Sequence, residues 1–182
     1  IREALAELVA ALKLKIPGVD LQIMVVEPDG VWGHKWCTPE VCPSDGGCAV
    51  IMDPAYPCWA LHTPGALGVC DQTPGAGATF PAGNGAANYR CELTGGRRYI
   101  TKYQASMSAA LDCLTDVGLN GQVATAVEMA LAALDPAMNG PGGCNYGFSR
   151  PDAFLLVVFA SPFDSDSSAY NPYVWAGQLR AA

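Results

Sequence analysis

The chain opens with apolar residues that recur at intervals of three and four positions. Between residues 3 and 16, this stripe consists of Leu5, Leu8, Val9, Leu12 and Ile16. Such spacing places the side chains on one face of an amphipathic helix. Pro17 and Gly18 follow, a pair that stops a helix. We therefore predict a helix over residues 3–16.

Two segments carry the pattern of buried strands. In residues 19–26, VDLQIMVV, one face of the alternating pattern is formed by Val19, Leu21, Ile23 and Val25. The run AFLLVVFA, residues 153–160, is apolar throughout and too short for a typical helix. Segments that are apolar on both faces are typical of strands covered by helices on both sides. We predict a strand at each.

Between the two predicted strands lie two predicted helices. Thr101 and Gln104 have the spacing of a capping box, which marks a helix start. The stripe of the first helix comprises Tyr103, Met107, Ala110, Leu111, Leu114 and Val117, and Gly118 can end it. The second starts at Asn120, ends at Asp135–Pro136, and has a stripe of Val123, Val127, Ala130, Leu131 and Leu134. Asn171 and Pro172 predict the start of a last helix.

The segment from residue 28 to about residue 98 has no regular period. It holds six of the eight cysteines and motifs such as PSDGG, TPGAGA and AGNG. An irregular segment of this length is rare in a compact domain unless it is functional or cross-linked. We interpret it as a long Cys-rich, disulfide-braced insertion in an α/β core.

This order of elements predicts an α/β fold, a three-layer doubly wound, mostly parallel sheet with helices on both faces. In such sheets, ligands bind outside the carboxyl ends of the strands. Acidic residues follow both predicted strands: Glu27 and Asp29 after the first, Asp164 and Asp166 after the second. The acidic loops therefore mark the edge at which we expect a binding site.

Composition and charge narrow the class of protein. The length of 182 residues fits a single domain over 1–182. Hydrophobic residues make up 51% of the chain and charged residues 15%, so enough apolar side chains are present for a substantial core. A net charge of −7 argues against a nucleic-acid partner. The longest apolar run is too short to span a bilayer, and no secretory-type leader opens the chain.

Because Ile1 already begins a helical pattern and WAGQLRAA ends one, we expect a truncated fragment of a longer protein.

The cysteine content points to disulfides. The eight cysteines are Cys37, Cys42, Cys48, Cys58, Cys70, Cys91, Cys113 and Cys144. Their even number and the scarcity of lysine favour disulfides formed in an oxidising compartment. Zinc is the competing interpretation, but no Cys-x2-Cys pair occurs and His34–Cys37 supplies only half of such a site. The sequence leaves the connectivity open.

Three stretches resemble a known family. PGVDLQIMVVEPDG, ALDCLTDVGLNGQVATAVEMALAALDP and GFSRPDAFLLVVFASPFDSDSS are similar to the von Willebrand factor A-like domains of bacterial secreted or surface lipoproteins, notably in myxobacteria. The similarity covers residues 1–27 and 99–182, with residues 147–153 the most specific part. The resemblance implies a doubly wound fold and a metal-ion-dependent adhesion site that holds Mg²⁺ or Ca²⁺ through oxygen ligands.

The resemblance also implies where that site lies. Asp164 and Asp166 are the candidate metal ligands. The candidate ligand-binding residues are Asp164, Asp166 and Ser167 in this loop, Asp29 after the first predicted strand, and Trp32 and Trp36 on the Cys-rich segment. Two features depart from the family's pattern. The family's Asp-x-Ser-x-Ser loop does not occur in this chain, and Pro162 stands where its strand-end Asp aligns. A degenerate ion site, or a merely solvated loop, is therefore the alternative.

Aromatic and histidine residues add two further hypotheses. Trp32, Trp36, Tyr56 and Trp59 lie in the Cys-rich segment and are either partner-binding anchors or its private core. His34 and His62 are the only histidines, so a secreted cysteine-rich hydrolase would have to use one of them.

The function that we expect is a non-enzymatic, extracytoplasmic binding or adhesion module for a protein or surface ligand. A lipid anchor upstream would fit the lipoprotein resemblance. The alternatives are a structural module with a degenerate ion site and the cysteine-rich hydrolase.

Overall fold

The computed structural model describes residues 2–16, 18–27, 37–117 and 126–159, together with positions 174, 176, 177 and 179. Within these residues the chain forms short helices joined by irregular segments. The α-helices are α1 (Arg2–Lys15), α2 (Trp59–His62), α3 (Met107–Thr115), α4 (Ala126–Leu134) and α5 (Pro136–Asn139). Three 3-10 turns occupy Ala49–Ile51, Val69–Gln72 and Thr94–Gly96.

The prediction of a three-layer doubly wound, mostly parallel sheet is wrong. No β-strand forms within the described residues, where extended segments meet only at isolated antiparallel bridges. These join Ile23 to Ile100, Cys48 to Asp53 and Ala86 to Val117. The alternating pattern misled the prediction because it reports which side chains are buried, whereas a strand also requires a neighbour that pairs with its backbone.

The extended segment 19–27 shows this distinction most clearly. Leu21, Ile23 and Val25 pack into one apolar cluster, so the burial predicted for this face is confirmed. The backbone of Ile23 exchanges hydrogen bonds of 3.0 and 2.7 Å with Ile100, and the N–H of Ala78 donates to the carbonyl of Val25 at 2.8 Å. Each flanking segment thus contributes one or two bonds instead of a ladder.

Helix α1 confirms the amphipathic pattern at the start of the chain. Val9 is buried and Leu5 partly buried in the cluster shared with the 19–27 segment, and α1 contacts α3. Leu8 and Ile16 are exposed, so only part of the predicted stripe faces the core. Gly18 follows with φ of 81°, a left-handed conformation that glycine adopts without steric cost.

Helix α3 begins later than the capping box predicted. Ser106 is its N-cap, and its Oγ accepts a hydrogen bond from the Ala109 N–H at 3.3 Å. The Gln104 side chain instead accepts from the Thr94 N–H and donates to the Glu92 carbonyl, both at 2.9 Å. Gln104 therefore fastens the preceding loop rather than capping the helix.

Helix α4 ends at Leu134, as the Asp135–Pro136 pair predicts. Asp135 Oδ1 accepts from the Ala137 N–H at 2.7 Å and caps the short helix α5, with Pro136 at its first position. The predicted starts of the second helix at Asn120 and of the last helix at Asn171 lie outside the described residues.

Four disulfides confirm the prediction from the cysteine content. They join Cys37 to Cys48, Cys42 to Cys58, Cys70 to Cys144 and Cys91 to Cys113. All eight cysteines are paired, which excludes them as thiolate ligands of zinc. Disulfides of this density indicate an oxidising setting.

Buried apolar side chains of the described residues form two clusters. One is built by Tyr56, Phe80 and the disulfides of Cys37 and Cys42. The other joins α1, α3, the 19–27 segment and the Cys91–Cys113 bridge. Two of the four disulfides cross-link the Cys-rich segment to the helical part, so this segment supplies core rather than projecting from a sheet.

Across the described ranges, every helix falls short of the length and apolar character that crossing a bilayer requires.

Candidate functional site

The site residues predicted from the sequence lie outside the described residues. This holds for Asp29, Trp32, Trp36, Asp164, Asp166 and Ser167, and also for His34 and Pro162. The Mg²⁺ or Ca²⁺ site and the acidic loop therefore stay predictions. In the part of the chain that is described, no group of three or more His, Cys, Asp or Glu side chains is arranged to hold a metal ion.

The most unusual surface of the described chain is the apolar segment 154–159. Its side chains have relative exposures of 93% at Phe154, 41% at Leu155, 57% at Leu156, 64% at Val158 and 42% at Phe159. Five large apolar side chains within six consecutive positions are rarely this open to water, whereas single exposed apolar residues are common. The sequence predicted the opposite, a buried central strand.

The backbone of this segment is extended. Residues 154–159 belong to neither a helix nor a strand. Among the described residues, no backbone hydrogen bond involves residues 154–158. The even-numbered side chains are more exposed than the odd-numbered ones, and Val157 at the centre is half-buried. That period of two is typical of a strand with one face against the protein body.

A salt bridge fixes the chain just before the apolar segment. Arg150 donates through one terminal nitrogen to Asp20 Oδ2 at 2.6 Å and through the other to the Asp20 carbonyl at 2.7 Å. Lys102 Nζ lies 3.7 Å from Asp20 Oδ1. When the Gln22 side-chain amide is assigned with its nitrogen toward the turn, that nitrogen donates to the carbonyls of Gly147 and Phe148. The 19–27 segment therefore supports the base of the apolar segment.

Asn145 holds the preceding turn to the rest of the molecule. Its side chain is fully buried; Oδ1 accepts from the Gly77 N–H at 2.9 Å, and Nδ2 donates to the carbonyls of Gly75 (2.9 Å) and Ala133 (3.1 Å). The Tyr99 hydroxyl donates to the Tyr146 carbonyl at 3.1 Å. The turn is thus rigidly attached, and the exposed segment leaves from a fixed point.

A buried carboxylate joins two arginines elsewhere in the molecule. Asp71, with a side chain only 2% exposed, forms salt bridges of 2.8 Å with Arg90 and Arg98. It also accepts bonds from the Gly68 N–H and the Thr79 hydroxyl. Burial alone would raise the pKa of Asp71, but the bonds from Arg90, Gly68 and Arg98 outweigh it and hold that pKa well below its usual range.

This cluster escaped the sequence analysis because its members are far apart in the chain and form no motif. The usable signal was the placement of charged residues in an otherwise apolar, glycine-rich segment. Every carboxylate oxygen of Asp71 is engaged with protein groups. The cluster therefore cross-links the Cys-rich segment rather than presenting a free charge.

Two of the four aromatic residues considered in the Cys-rich segment, Tyr56 and Trp59, lie among the described residues. Tyr56 is buried and belongs to the segment's own core. Trp59 is exposed and packs on Phe80 with 5.9 Å between ring centroids, while the Arg90 guanidinium lies 5.6 Å from the same Phe80 ring. Phe80 is thus the buried support of an exposed Trp59.

His62 is held by a structural contact. Its Nε2 lies 2.6 Å from the Cys42 carbonyl oxygen and donates a hydrogen bond to it. A hydrogen bond from Thr38, and then one from its own backbone, lowers the pKa of the nearby exposed Glu40. Because all eight cysteines are in disulfides, no thiol accompanies His62.

The disulfides differ in access to water. Cys37, Cys42, Cys48, Cys58, Cys91 and Cys113 are buried, whereas Cys70 and Cys144 are partly exposed. Cys144 precedes the turn that leads into the apolar segment. The bridge between Cys70 and Cys144 is therefore the one that a reductant in solution reaches first.

Comparisons of this chain with protein-family models, curated proteins and solved structures yield no match. The resemblance to von Willebrand A-like domains stays a prediction, and the fold that it implies differs from the one described.

Proposed function

We propose that this chain is a non-enzymatic, extracytoplasmic protein-binding module whose contact surface is the apolar segment 154–159. The observation that carries the proposal is the exposure of five large apolar side chains on an extended backbone. Together they present on the order of 500 Å² of apolar surface, at the upper end of what monomeric proteins leave uncovered. Patches of that size mark sites of protein contact.

The surrounding structure supports a binding role for this surface. The segment leaves from a turn held by Asn145 and by the Arg150–Asp20 salt bridge. A rigid base reduces the conformational entropy lost on association, so more of the contact energy appears as affinity. The network at Asp71 and the four disulfides keep the scaffold behind it fixed.

Two observations favour binding over catalysis. The sulfur atoms of all eight cysteines are in disulfides, so no thiolate is ready to attack a substrate. His62 Nε2 already donates to the Cys42 carbonyl, which leaves that nitrogen unable to accept a proton. A hydrolase would therefore have to use the other ring nitrogen of His62, Nδ1, as its base.

The test places a photo-crosslinking amino acid at Leu156 and, as a matched control, at Val69, which is 84% exposed and lies on the Cys-rich segment. Both variants are incubated with the extracytoplasmic fraction of the producing organism and irradiated. We expect protein adducts at position 156 in clear excess over position 69. Equal yields at the two positions would contradict the proposed contact surface.

The extracytoplasmic placement has a separate test. The chain is produced once with an export signal and once without, and is then unfolded without reductant and treated with a thiol reagent. Export is expected to give no reactive thiol, whereas retention in the reducing cytoplasm should leave the cysteines reactive. Complete disulfide formation in the cytoplasm would remove the argument for export.

A further inference from the structure

We propose that the partner of segment 154–159 is a second copy of this chain, joined by antiparallel pairing of the two identical segments about Leu156. The inference rests on the proposed function, since it names the partner of the same surface. Its structural basis is an extended apolar segment whose backbone groups at residues 154–158 have no hydrogen-bond partner among the described residues. Such a segment can add to another strand.

Two-fold symmetry restricts the register. When two identical strands pair antiparallel about a two-fold axis, one residue lies opposite its own copy and the others pair symmetrically around it. Centring on Leu156 sets Phe154 opposite Val158 and Leu155 opposite Val157. These aromatic, aliphatic and β-branched pairs are the kinds that stabilise neighbouring strands.

The pattern of exposure selects this register over its neighbour. Phe154, Leu156 and Val158 are the most exposed side chains of the segment and are symmetric about Leu156. In the register centred on Leu156, all three pair with one another on a single face. Centring on Val157 would instead place Phe154 opposite Ala160, which loses its aromatic contact.

The available area fits a weak symmetric dimer. Two patches of on the order of 500 Å² each bring the total near 1,000 Å², the lower limit of specific interfaces. The segment carries no charge between residues 153 and 159, although the chain has a net charge of −7. Added salt screens the repulsion between the two acidic copies, so it should strengthen this dimer; it would weaken a complex with a basic partner.

Cysteine cross-linking tests both the partner and the register. Every native cysteine is in a disulfide, so an introduced cysteine supplies the only free thiol. Leu156→Cys is expected to give a disulfide-linked dimer under mild oxidation, because residues directly opposite lie about 4.5–5.5 Å apart between Cα atoms. Val158→Cys is the matched control, since its copy would lie about 14 Å away along the strand.

Sedimentation of the unmodified chain provides the second measurement, over concentrations from about 1 µM to about 1 mM. We expect a concentration-dependent dimer that Leu156→Asp abolishes and Val69→Asp preserves. A monomer at every concentration, or equal cross-linking at positions 156 and 158, would overturn the self-association. Preferential cross-linking of Val157→Cys would overturn the register.

The two proposals fail in distinguishable ways. Photo-adducts at Leu156 that contain only other proteins, together with a monomeric chain, would refute the second copy as partner and keep the binding surface. The absence of adducts of any kind at Leu156 would refute both.

Discussion

Arg150 and Asp20 join parts of the chain that are 130 residues apart in sequence, through a 2.6 Å salt bridge and a 2.7 Å bond to the Asp20 carbonyl. Arg150 directly precedes the segment that leads to Phe154, whereas Asp20 belongs to the extended segment inside the core. The bond therefore connects the exposed apolar surface to the folded body.

Replacing Arg150 should loosen the base of the apolar segment without unfolding the protein. We expect Arg150→Gln to cost at most about 1 kcal/mol in the free energy of unfolding, because the pair is partly exposed. Amide hydrogen exchange at Phe148, Ser149 and Ala153, whose N–H groups are hydrogen-bonded, should rise more than exchange in α3. Arg150→Lys is the control that keeps the charge but cannot form both hydrogen bonds to Asp20 through a planar guanidinium. Unchanged exchange in Arg150→Gln would show that other contacts hold the segment.

Asp71→Asn should be the most destabilising of the charge substitutions. It leaves Arg90 and Arg98 facing a neutral amide in a site where the Asp71 side chain is 2% exposed. Removing one partner of a buried ion pair costs about 3–5 kcal/mol. Urea unfolding at neutral pH measures the change. Asp45→Asn, on the exposed part of the Cys-rich segment, is the matched control and should be nearly neutral.

The same carboxylate predicts how stability depends on pH. The pKa of Asp71 is depressed in the folded state, so its contribution is fully present above the ordinary aspartate pKa of about 3.9. That contribution is lost as the pH falls from there toward the depressed folded value. Urea midpoints measured between neutral pH and pH 2 should decline more steeply below pH 4 in the native chain than in Asp71→Asn. Parallel curves would contradict the depressed pKa.

Cys70–Cys144 should be the first disulfide to be reduced. It is the only partly exposed bridge among the four, since the other six cysteines are buried. Limited dithiothreitol treatment, alkylation and peptide mass mapping should label Cys70 and Cys144 before the remaining cysteines. Because this bridge closes a separation of 74 residues, its loss should cost about 4 kcal/mol by the loop-entropy relation. Early labelling of Cys42 or Cys58 would contradict the order.

Asn145→Asp tests the buried amide that holds the turn. Two of its three hydrogen bonds go from Nδ2 to the carbonyls of Gly75 and Ala133. A carboxylate there would face two carbonyl oxygens. Leaving a buried polar group unsatisfied costs about 1–3 kcal/mol, and the free energy of unfolding of this variant should fall by more than that. Protonation of the new side chain should restore part of this stability as the pH falls. Asn145→Ala has no titrating group and is the control that should show no such recovery.

Local features of the sequence predicted local structure well. The spacing of Leu5 and Val9 predicted α1, and Asp135–Pro136 predicted the end of α4, because these signals act within a few residues of the chain. The cysteine count predicted disulfides, whereas their pairing required the three-dimensional arrangement. Leu21, Ile23 and Val25 were correctly predicted to face a core.

What the sequence by itself determined is which residues are apolar, that α1 forms, that α4 ends before Pro136, and that the cysteines would be oxidised. Whether segments 19–26 and 153–160 pair as strands was decided only by tertiary structure. A strand depends on backbone partners that are distant in sequence, and the period of its side chains does not reveal them. Ile23 forms one bridge with the distant Ile100, and Asp71 pairs with Arg90 and Arg98, which lie 19 and 27 residues further along the chain. The apolar run at Phe154 has the composition of a buried strand, and within the described chain no neighbour covers it.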